Sequence, residues 1–110
     1  DPLGLLMRVY RRTPSVDRVL RTADDLVHND RGNRYSDPHD DYARVVAIFR
    51  AITGHELTAE EGALFMVSVK LARLAHNQQR GELHLDSLID AAGYLWCAGE
   101  IMDHAGYGIV

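Results

Sequence analysis

Apolar residues along this chain recur at spacings of three and four rather than two, and that period predicts helices throughout. The first predicted helix covers 14–27, with Thr13 as N-cap, Pro14 at the first helical position and Asp17 in the positive first turn. Val16, Val19, Leu20, Ala23, Leu26 and Val27 form its inner stripe. A second helix starts after Asp37-Pro38, carries Tyr42, Val45, Val46, Phe49 and Ile52 on one face, and stops at Gly54. Thr58-Ala59-Glu60-Glu61 is a capping box that opens the third helix, which runs to about Asn77. Residues 62–69 are apolar nearly all round, so this helix is expected to be the central and most buried one. The fourth covers 85–103, with Leu85, Leu88, Ile89, Ala92, Leu95, Trp96 and Met102 on its core side.

No segment sustains the alternation of a strand. The expected fold class is therefore all-α: a compact bundle of about four helices in one domain, 1–110, with an N-terminal arm (1–12) and a C-terminal tail (104–110). The loop between the third and fourth helices is short, so 58–77 and 85–103 should form a central antiparallel hairpin. Ala91, Ala92, Gly93, Ala98 and Gly99 make the fourth helix smooth enough for close backbone approach. Together with the apolar arms, this smoothness predicts a homodimer or tetramer.

Composition removes several function classes. The 110 residues are 46% hydrophobic and 25% charged, ordinary for a globular domain. A net charge of −4 gives no pull toward nucleic acid. No apolar run approaches the roughly 20 residues that span a bilayer, so no membrane partner and a cytoplasmic location are expected. The lone Cys97 cannot form an internal disulfide and reads as an inert core residue. Gly-rich phosphate loops, zinc spacings and serine elbows are all lacking.

Three constellations remain that could carry chemistry. Asp86 and Asp90, four residues apart, share a helix face, and as hard oxygen donors they suit Mg²⁺ or serve one half of a salt-bridge seam. His84 lies beside them as a base or phosphate partner. Lys70, the only lysine among 12 basic residues, lies with Arg73 and Asn77 on the third helix. Hairpin geometry brings Lys70 and Arg73 toward the aspartates, either as a register-fixing seam or as a grip on phosphate. The connection 28–39 is dense in hydrogen-bond donors, with Arg31 and Arg34 suited to bidentate anion contacts and Tyr35 beside them. His55, His76 and His104 are expected to be solvated.

Arg31 with Tyr35-x-Asp37-Pro38, then Lys70-Leu71-Ala72-Arg73-Leu74, then His84-x-Asp86-Ser87-Leu88-Ile89-Asp90-Ala91-Ala92-Gly93-Tyr94 resemble a family of short proteins encoded by phages and prophages of actinobacteria and their relatives. The resemblance covers roughly residues 20–103. That family's helical layout is similar to the all-α nucleoside triphosphate pyrophosphohydrolases of the MazG type, in which two pairs of acids on successive helices bind Mg²⁺. Asp86 and Asp90 would match the second pair, with Asp for Glu and a spacing one residue longer. Where the first pair would stand, the third helix presents Lys70 and Arg73, while Glu60 and Glu61 sit at its capped end.

The expected function is thus binding of a nucleotide or nucleotide-derived phosphate in the cytoplasm of the host cell. Asp86 and Asp90 would hold Mg²⁺, Lys70, Arg73, Arg31 and Arg34 the phosphates, and Tyr35 the base. If catalytic, the reaction would be Mg²⁺-dependent hydrolysis between the α and β phosphates. The alternative is a non-enzymatic protein-interaction module of a phage acting on a host protein.

Overall fold

Helix boundaries follow the caps. The computed structural model describes residues 14–30 and 37–110, and these hold four α-helices and no strand. Helix α1 (Pro14–Asp25) runs into a single π-helical turn, Leu26–Asp30. The expected Thr13 cap lies outside the described residues. Helix α2 (Pro38–Thr53) starts where Asp37 accepts a 2.8 Å hydrogen bond from the His39 amide and Pro38 takes the first turn. It stops at Gly54, whose N–H reaches the Arg50 carbonyl.

Helix α3 (Ala59–Gln78) opens on the predicted capping box. The Glu61 amide donates to Thr58 Oγ1 at 3.2 Å, and the Thr58 amide donates to Glu61 Oε1 at 2.9 Å. Helix α4 (Leu85–His104) completes the hairpin. Between the two, the Glu82 amide reaches back to the Asn77 carbonyl and the Gly81 amide to Gln78. This Schellman closure needs a left-handed residue, supplied by Gly81 at φ +72°.

The buried centre is α4, not α3. Helix α4 packs against α1, α2 and α3. Cys97, Ala98 and Ile101 join Tyr42 of α2 and Ala63 of α3 in one buried cluster, and Ile89 joins Val19 and Ala23 of α1 in a second. Burial of a side chain such as Ile101 contributes about 2 kcal/mol. Helix α3 buries only Gly62, Ala63 and Val67, whereas Leu64 and Phe65 are exposed. An all-apolar surface marks a helix able to be central, but among the described residues α3 packs chiefly against α2 and α4.

Helix α2 crosses α3 at Gly62. A Cβ there would lie 3.0 Å from Val46 Cγ1 and 3.3 Å from Tyr42 Cδ1, so the helices cross closely at this glycine. Other stripe positions depart from expectation. Leu20 of α1, Val45 and Ile52 of α2 and Leu95 of α4 are exposed. Among the described residues, all four helices keep large apolar side chains exposed.

Candidate functional site

The hairpin brings Lys70 and Asp90 together, and among the described residues no other member of the expected site joins this ion pair. Lys70 Nζ lies 2.9 Å from Asp90 Oδ2, with the lysine side chain 13% exposed and the aspartate 39%. Arg73 is three residues on, roughly 60° further round the helix, and is exposed with no ion pair among the described residues. Asn77 turns back on its own helix, donating from Nδ2 to the Arg73 carbonyl at 2.9 Å. Of the predicted basic stripe, Lys70 alone makes a polar contact with α4.

On α4, Asp86 is exposed in the first turn, where it complements the helix dipole. His84 Nδ1 lies 2.6 Å from the buried Ser87 Oγ. Gly93 and Cys97, spaced at helical period along the same face of α4, are buried core positions. Arg31, Arg34 and Tyr35 lie outside the described residues.

The donor set fits Mg²⁺ poorly. The Lys70 ammonium already occupies the position a cation would take at Asp90, and a second positive charge there is repelled. Among the described residues no group of three or more His, Cys, Asp or Glu side chains converges on a point where a metal could sit. Glu60 and Glu61 are both committed elsewhere: Glu61 to the capping box and Glu60 to the tail.

That tail contact was not legible beforehand. Gly106, at φ +86°, closes α4 with a second Schellman turn in which the Tyr107 amide reaches the Met102 carbonyl. The turn sends the Tyr107 hydroxyl onto Glu60 Oε1, where it donates at 2.6 Å. This hydrogen bond holds the Glu60 carboxyl below its ordinary pKa, aided by the Glu60 amide. The same bond, with the carboxylate charge, raises the phenol of Tyr107. A glycine just past the helix end was the available signal.

His104, expected to be solvated, and His28, from the donor-dense connection, both find ring partners. His104 stacks on His39 with centroids 4.0 Å apart, and His39 Nδ1 is buried without a hydrogen bond among the described residues. His28 meets Trp96 edge to face at 5.0 Å. Two concavities stand out among the described residues. One of about 410 Å³ runs between α2 and the start of α3, past Val46, Ala47, Leu57 and the exposed Arg50–Glu56 ion pair. The other, of about 170 Å³, lies between α1 and α4.

Residues 18–102 match the family described as a domain of unknown function (DUF6378), and the chain belongs to that family. Its relatives include the Gene 55 protein of Mycobacterium phage L5, 31% identical over 77 residues, which cover 69% of this chain and 47% of the phage protein. The Gene 55 protein of Mycobacterium phage D29 is 26% identical over 87 residues, 79% of this chain and 55% of that protein. The chain spans about half the length of these curated relatives. No solved structure gives a significant match. The expected tie to phage-encoded proteins therefore holds at the level of the family.

Proposed function

We propose that this domain is a non-enzymatic protein-interaction module of a phage-type protein, which works by covering its exposed apolar stripes with a partner. The observation that carries this reading is the exposed run Val45, Ile48 and Ile52 on α2. Spacings of three and four residues put these side chains on one helix face. Helix α3 adds exposed Leu64, Phe65 and Leu71. Single apolar side chains scatter over any surface, but a stripe at helical period is what helix-on-helix and helix-in-groove contacts use. With Asp90 neutralised by Lys70, the polar residues of the hairpin serve register rather than chemistry.

The first partner to test is a second copy of the chain. Light scattering should give a dimer or tetramer, and the double variant Ile48→Glu/Ile52→Glu should be monomeric with unchanged helical circular dichroism. A wild-type protein that stays monomeric at high concentration and binds no hydrophobic dye would sink this reading.

A second reading, binding of a nucleotide or nucleotide-derived phosphate, is favoured by Arg73. Its guanidinium is exposed and makes no ion pair among the described residues, one turn from Lys70. The similarity of helical layout to MazG-type proteins supports the same reading. A thermal-shift screen of nucleoside triphosphates, with and without Mg²⁺, tests it. Stabilisation lost in Arg73→Gln supports phosphate binding; no stabilisation by any of them removes it.

A further inference from the structure

We infer that the recess between α1 and α4 is a binding site for a small planar heteroaromatic molecule that carries an amino or ring N–H donor. Its floor is made of Ala23, Val27 and Ala92, small or apolar groups that leave room where larger side chains would close the helices together. The volume of about 170 Å³ exceeds the roughly 150 Å³ that takes up benzene in an apolar protein cavity. One six-membered or fused ring is therefore the matching size.

The walls are aromatic. Trp96 and His28 meet edge to face at 64° between ring planes, and both line the recess. His28 reaches this position from the π-helical turn Leu26–Asp30. Such turns insert one extra residue into a helix and recur at functional sites. Here the turn keeps Val27 buried while His28 stands against the indole.

The polar rim selects the ligand. His28 Nδ1 lies 3.0 Å from the Asp24 carbonyl and 2.9 Å from Asp24 Oδ1. Both partners only accept, so Nδ1 carries the hydrogen. Both side chains are more than half exposed at the mouth and reachable from solvent. The Asp24 carboxylate at the rim disfavours anionic rings and favours one that donates, as the amino-bearing nucleobases do. This inference does not depend on the interaction reading, and either can fail without the other.

Trp96 is the only tryptophan, so its emission reports this recess directly. Titration of the full chain with adenosine should quench or shift Trp96 emission saturably at millimolar concentration, whereas benzoate should not. Ala92→Leu, which fills the floor, should weaken adenosine at least about tenfold. A linear response, or equal affinity in a helical Ala92→Leu protein, would overturn the proposal. If Ala92→Leu fails to fold, amide NMR of the wild type decides: shifts centred on Ala23, His28, Ala92 and the Trp96 indole support the site, and shifts elsewhere refute it.

Discussion

The Lys70 ammonium sits 2.9 Å from the Asp90 carboxylate across the α3–α4 hairpin, with the lysine the more deeply covered of the two. Removing one partner from such a pair costs more than the pair contributes, because the remaining charge loses its compensation in a partly dry place. Asp90→Ala should therefore destabilise the fold by about 1 to 2 kcal/mol, between the exposed and the fully buried cases. The double variant Lys70→Met/Asp90→Leu should recover most of that loss. Urea denaturation of the three proteins checks both statements, and a double variant no more stable than Asp90→Ala would overturn the second.

Two glycines should respond in opposite directions. Gly62→Ala adds a methyl group 3.0 Å from Val46 Cγ1 and 3.3 Å from Tyr42 Cδ1, where α2 crosses α3. The clash should outweigh the gain of about 1 kcal/mol in helix propensity, for a net loss of about 1 to 2 kcal/mol. Gly99→Ala meets nothing within 4 Å and should be stabilising by up to about 1 kcal/mol. Thermal melts of the two variants provide the comparison.

The Tyr107–Glu60 bond predicts a pH window. Glu60 is lowered in the fold, so its contribution is present above the unfolded carboxyl value and is lost as pH falls through the folded one. Tyr107 is raised, so its contribution is complete below the unfolded phenol value and is lost as pH rises through the folded one. The melting-temperature difference between wild type and Tyr107→Phe should therefore be largest between roughly pH 5 and 9, and shrink on both sides. A difference independent of pH would assign the effect to packing of the ring instead.

Thr58 satisfies the Glu61 amide while Glu61 satisfies the Thr58 amide. Thr58→Ala should cost about 1 kcal/mol and Thr58→Ser much less, since serine keeps the acceptor. Hydrogen exchange should localise the loss to the first turn of α3, leaving the α3–α4 hairpin end near Lys70 unchanged.

Local chemistry was readable in the chain because it acts over a few residues. The Thr58 box, the Asp37-Pro38 start, the Gly54 stop and the helical character of 59–78 and 85–104 need no distant partner, and they stand as expected. So does the meeting of Lys70 with Asp90, because a short loop between two capped helices allows few registers. Which helix is central was not readable. Apolar period names a face, but burial depends on how many neighbours reach it; α4 meets three helices and α3 two. For the same reason Leu20, Ile48, Ile52 and Phe65 remain uncovered. The tertiary structure also decided the fates of the acids: Asp90 neutralised, Asp86 in water, Glu60 bonded to a tyrosine 47 residues away. Spacing along one helix sets which side chains share a face. The charge that meets them there comes from another part of the chain, and only packing brings it.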